Sequence, residues 1–330
     1  MTMPDAVPAY LDRFEELRRS KRWTTDLTML RFSALILTAS DHPGLGAGLE
    51  ESARRLLKRS GTFGALNSPA RYAVAAMLLR RGLDIDAAFD RIEEVRGLFR
   101  REKLKRGGIF EVLAALLLIL QAGDREVDVW TVRRMKEILE RWKKDHSFLT
   151  GSDDYPMAAL HAARGASAEG IGHRVEEFYQ ALRREKLARG NQLQLVSHLL
   201  AVTELGAIEA ARRFTDLRRA LKQAGIRTYE SQYDEIALLV MLGGEPEQLA
   251  GRLAGTVERL MSVRPRPQKS IAISIGAGLM LAEAAGAAPL DETGVDLTTM
   301  RAVQAVIEAQ QAAMVAIIAS STAATAAATS

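Results

Sequence analysis

Apolar residues along this chain recur every three to four positions and almost nowhere every second one. Ile92, Val95 and Phe99 keep helical spacing, as do Val112, Leu113, Leu116, Leu117 and Leu120. This is the stripe that an amphipathic helix buries on one side. No run with period-two alternation and β-branched enrichment stands out. The pattern predicts helices over 70–81, 84–104, 108–122 and 127–145, with counterparts further along. Ser68–Pro69 reads as an N-cap followed by a first-turn proline. Gly107 and Gly190 follow basic last turns and read as helix-ending glycines.

The helical pattern repeats. Shifted by 83 positions, Tyr72–Gly107 matches Tyr155–Gly190 without a gap, with 15 identities in 36 positions. Among them are Tyr72/Tyr155, Gly82/Gly165, Arg91/Arg174 and the phrase RREKL at 100–104 and 183–187. A weaker third copy is offset by 78, with Tyr233, Gly243, Arg252 and Leu260 in register. FSALILTASD at 32–41 resembles the end of the same unit. A match of this density implies duplication. The expectation is an all-α, α–α superhelical repeat of about three and a half four-helix units of roughly 80 residues, forming one domain. The partial unit covers 1–66 and the full units 67–149, 150–228 and 229–320. An Ala/Thr-rich tail at 321–330 is expected to be flexible. Units of this kind bury their apolar faces by stacking.

Composition narrows the function classes only a little. The 330 residues are 48% hydrophobic and 26% charged, as in an ordinary globular protein. Cysteine is absent, which removes disulfides and thiolate chemistry and fits a cytoplasmic setting. The N-terminal stretch lacks the apolar segment of a secretory signal, and the longest apolar run, 112–120, is too short for a bilayer. No membrane role is expected. The net charge of +4 is too small to identify a nucleic-acid binder by itself.

Two readings fit the repeated basic phrase. In one, its cations complement the helix C-terminus and Glu102 and Glu185 pair with Arg106 and Arg189 four residues on. In the other, stacked units align Arg100, Arg101, Lys103 and Arg106 with Arg183, Arg184, Lys186 and Arg189. That ridge would hold a nucleic acid, another polyanion or an acidic protein partner. Arg18, Arg19, Lys21 and Arg22 would extend it at one end, and Arg264, Arg266 and Lys269 at the other.

The second copy departs from the first at chemically interesting places. Asp153 and Asp154 stand where the first copy has Ala70 and Arg71, His161 replaces Leu78, and His198 replaces Ala115. Asp154 and His161 are two helical turns apart and share a side. With His146 and Tyr155 nearby, they form a candidate pocket for a divalent metal or a small polar ligand. The competing reading is structural: Ser152 or Asp153 caps a helix, and the histidines are core residues. The stretch HSFLTGSDDYPMAALHAARG resembles a bacterial family, domain of unknown function 4003, along nearly the whole chain. The resemblance implies a bacterial origin and no assigned activity. It makes His146, Phe148, Leu149, Thr150, Asp153, Asp154 and Tyr155 signature positions.

No phosphate-cradling glycine loop, nucleophile elbow or HExxH helix is present. Glu93–Glu94 and Glu176–Glu177 recur between copies, which favours a structural role. The leading expectation is an interaction or scaffold protein with no cofactor. The alternative is a metal-dependent or small-ligand enzyme centred on the second unit.

Overall fold

The computed structural model describes residues 5–20, 27–38, 45–61 and 64–286. The tail at 321–330, together with Lys21 and Arg22, lies outside them. Among the described residues there are fourteen α-helices and no strand. They are α1 Val7–Ser20, α2 Leu27–Thr38, α3 Leu45–Ser60, α4 Ala70–Arg80, α5 Ile85–Arg101, α6 Ile109–Ala122 and α7 Val129–Asp145. They continue with α8 Tyr155–Ala163, α9 Ala168–Arg184, α10 Asn191–Leu200, α11 Ala207–Gln223, α12 Tyr233–Leu242, α13 Pro246–Ser262 and α14 Lys269–Gly286.

Two kinds of helix alternate, and their composition dictates their layer. Every residue of α12 is buried, as are the first eight of α8. These helices are largely apolar and buried on all sides, so they sit inside, carrying Asp234, Glu235 and His161 into the core with them. Helix α7 buries only Val132, Met135, Ile138, Leu139 and Trp142. It is an outer helix with one apolar stripe. Each outer helix from α1 to α13 packs against the next, and each is also joined to an inner one. The array closes on itself, because α14 packs on α2 and α13 on α1. Asp5 pairs with Arg259 at 2.8 Å, and the Ala6 amide donates to Glu283 at 2.8 Å. Closure covers the apolar faces that the end units of an open superhelix leave bare.

The structural step is shorter than the sequence copy. Helices α5, α7, α9, α11 and α13 are each 17 residues long and start at 85, 129, 168, 207 and 246. Their starts differ by 44, 39, 39 and 39. The copy offset of 83 is therefore 44 plus 39, and 78 is twice 39. One sequence unit spans two helix pairs.

The helix ends also differ from expectation. Helix α5 stops at Arg101, since Lys103 adopts a left-handed φ of 62°. The Leu104 amide then donates to the Phe99 carbonyl at 2.9 Å, and the Lys103 amide to Arg100 at 3.0 Å. That is a Schellman cap with buried Leu104 as its apolar anchor. Lys186 and Leu187 repeat it. RREKL thus encodes a helix stop. The residue in the left-handed position is lysine, not Gly107 or Gly190; Gly190 instead precedes the next helix. Because the helix ends early, the Glu102–Arg106 pair does not form. Glu102 binds Arg133 on α7 at 3.1 Å, and Glu185 accepts from Thr215 on α11 at 3.4 Å. Ser68 does not cap α4; its hydroxyl donates to the Ala65 carbonyl.

Candidate functional site

The second-copy residues divide into a buried group and a rim. Helix α7 places Trp142 in the core, where its ring packs 3.8 Å from that of His198 on α10 and 5.9 Å from that of His161 on α8. His198 Nε2 lies 3.6 Å from Asp154 Oδ1, beyond hydrogen-bond reach. Asp154 is the residue before α8. Its other oxygen accepts the Gly151 amide at 2.9 Å, so neither Ser152 nor Asp153 is the N-cap. Gln194, one turn before His198, donates to Thr150 Oγ1 at 3.2 Å.

Burial sets the electrostatics. It pushes Asp154 up to about 7, aided by the charge of Asp153 and opposed by the Gly151 amide. It pulls His161 down to about 3 and holds His198 well below its ordinary value, with His161 and His146 adding repulsion. Both imidazoles are neutral at pH 7 and Asp154 is near its midpoint. Among the described residues, Trp142 Nε1, His161 Nε2, Gln194 Oε1 and both ring nitrogens of His198 lack a hydrogen-bond partner. Such a concentration is unusual in a core.

The remaining candidates point elsewhere. His146 ends α7, contacts Glu176 on α9 at 2.8 Å and lies against the Tyr179 ring. Asp153 faces Asn191 at 3.5 Å, and burial raises its pKa. The Tyr155 hydroxyl donates to the Lys105 carbonyl at 3.0 Å. Its ring presses on Gly107, where a Cβ would come within 3.2 Å. No three His, Asp or Glu side chains among the described residues converge in a way that could hold a metal.

The basic residues are also sorted by the fold. Arg100 turns to buried Glu111 at 2.8 Å, and Arg183 donates to the Leu187 carbonyl. Arg101, Arg184, Lys186 and Arg189 are exposed, and α7 stands between α5 and α9. Lys103 and Arg106 join a different group. With Lys105, Lys136 and Lys143 they line a groove of about 360 Å³ between the end of α5, the outer face of α7 and the loop before α8. Thr150, Gly151, Ser152 and Tyr155 form its far wall. Glu140 is the one carboxylate in the lining, 3.8 Å from Lys136. Sequence reasoning missed Lys105, Lys136 and Lys143, as well as Trp142 and Gln194. The position of Gln194 four residues before His198 was the only signal available for that residue.

No helix among the described residues is long and apolar enough to cross a membrane. No solved structure matches the chain. It is 26% identical over 320 residues to the uncharacterized protein YeaA of Bacillus subtilis (strain 168), covering 96% of this chain and 94% of that protein. The model of a family described as "Protein of unknown function (DUF4003)" matches residues 13–312, and the chain belongs to that family.

Proposed function

We propose that the protein is a binding protein whose recognition site is the basic groove beside α7 and whose ligand is anionic. The observation that carries this is the charge of the lining: five cations converge on a concave surface that holds one carboxylate. Cations collected from the segment after α5 and from α7 raise the local concentration of anions, and low-dielectric walls focus the field. Thr150 already accepts a hydrogen bond from Gln194, which leaves its own hydroxyl proton to donate to a ligand. This is the interaction role expected from the sequence, located in a groove rather than along a ridge. The built-up array of duplicated helix pairs serves as its rigid frame.

The test uses inorganic pyrophosphate as probe, titrated calorimetrically into the full chain at low salt. Binding that weakens with added salt, and by tenfold or more in Lys136→Ala/Lys143→Ala, supports the reading. Heat no greater than in a chloride control of equal ionic strength overturns it. An enzymatic reading is favoured by one observation, the unpartnered polar cluster around His198. Against it stand the burial of that cluster and the 3.6 Å gap between Asp154 and His198.

A further inference from the structure

Phe148 is fully exposed to solvent. It sits at the tip of a tight turn in which the His146 carbonyl accepts from the Leu149 and Thr150 amides, at 3.1 and 3.0 Å. One side of that turn leads back to Lys143 and the other forward to Thr150, and both residues line the basic groove. The hydrogen-bonded turn that carries the ring therefore adjoins the groove, with Phe148 two residues before Thr150 and itself outside the lining. Of the two other exposed aromatic rings among the described residues, Trp130 is covered by the Arg133 guanidinium at 4.6 Å, and Tyr229 lies in the segment before α12, away from this groove. Among the described residues no ring or guanidinium covers Phe148.

An aromatic face beside an array of cations is complementary to one ligand class, in which a flat ring is attached to a phosphate. We propose that the groove takes a nucleoside phosphate, with the phosphate among Lys103, Arg106, Lys136 and Lys143 and the base stacked on Phe148. The proposal rests on the anion-binding reading and specifies its ligand. A volume of about 360 Å³ lies near the lower end of small-molecule sites, about 300–1,000 Å³. Stacking of a base on an aromatic side chain adds affinity that any base can supply, because every base has a π-face. The ligand can be a free nucleotide or the phosphorylated end of a single strand, since both present the same two groups.

The experiment compares pyrophosphate, ADP and a 5′-phosphorylated single-stranded tetranucleotide by calorimetry on the full chain. ADP is expected to bind at least tenfold more tightly than pyrophosphate. Phe148→Ala should remove that advantage while leaving pyrophosphate affinity unchanged, and Phe148→Trp should keep it. ADP binding no tighter than pyrophosphate, or an advantage that survives Phe148→Ala, overturns the nucleoside assignment and leaves the anion groove standing. If pyrophosphate itself fails to bind, both readings fall. Tighter binding of the tetranucleotide than ADP supports a strand end as the source. Equal or weaker binding supports the free nucleotide.

Discussion

The groove beside α7 has a counterpart beside α13, and the two share a frame while differing in chemistry. The second groove, of about 530 Å³, is bounded by the end of α11, the face of α13 and the start of α14. On the helix wall of the first stand Lys136, Leu139, Glu140 and Lys143. On that of the second, at the same spacing, stand Ala254, Val257, Glu258 and Met261. The apolar and acidic positions agree in character, and the two lysines are replaced by alanine and methionine. At the helix stop, Lys103 answers Gly225, both left-handed with φ of 62° and 81°. Leu104 and Ile226 are the buried anchors. The frame is thus indifferent to the charge on its walls. A few side chains decide whether a groove attracts an anion.

A further difference lies behind the first groove, where Asp154 and two histidines are buried. The rise of Asp154 from its ordinary 3.8 to about 7 is worth about 4 kcal/mol. The folded state holds this proton where the unfolded chain has lost it. Its contribution is complete below about pH 4 and disappears as pH rises through about 7. His161 and His198 act in the opposite sense, since their depressed values destabilise the fold as pH falls below about 6.5. Asp154→Asn keeps an oxygen for the Gly151 amide and removes only the first dependence. Urea midpoints at pH 5 and 8 should show wild type losing stability relative to the variant by about 3 kcal/mol over that interval, the part of the full shift that lies above pH 5. A constant difference would mean that Asp154 titrates normally.

Converting one groove into the other is a more direct challenge to the comparison. Ala254→Lys/Met261→Lys should raise salt-sensitive pyrophosphate binding in the second groove above whatever Arg266 and Lys269 in its lining supply. Tenfold, about 1.4 kcal/mol, is the expected gain, measured against a background of Lys136→Ala/Lys143→Ala. No gain would show that wall lysines alone do not make the site. The smallest effect concerns the helix stops. A non-glycine residue in the left-handed region costs about 1 kcal/mol. Lys103→Gly should therefore raise thermal stability by about that amount, and Gly225→Ala should lower it by a similar amount. Equal effects of the same sign would remove the distinction between the two stops.

Much of the local structure was legible. The predicted 108–122 and 127–145 fall within two residues of α6 and α7, because Val112, Leu116 and Ile138 keep a helical stripe. The end of α5 was placed three residues late, at 104, since nothing in periodicity marks a lysine that turns left-handed. That Asp154, His161 and His198 are polar in positions that the first copy keeps small or apolar, apart from Arg71, was legible in the sequence. Trp142 was not, because a tryptophan on an apolar stripe reads as ordinary core. The basic groove was hidden for a different reason. Its cations come from two elements, the segment after α5 and helix α7, as far apart as Lys103 and Lys143, and only the packing of helix pairs brings them to one surface.

By itself, the sequence determined helix positions to within a few residues, the internal sequence match and the chemical oddity of its second stretch. These are properties of neighbours along the chain, where spacing fixes which side chains share a face. Closure of the array, the helix-pair step and the separation of Arg100 and Arg183 from Lys103 and Arg106 were decided by tertiary structure alone. So was the exposure of Phe148. Each depends on which faces are covered when helices distant in sequence bury their apolar stripes against one another, and burial is a property of the packed whole.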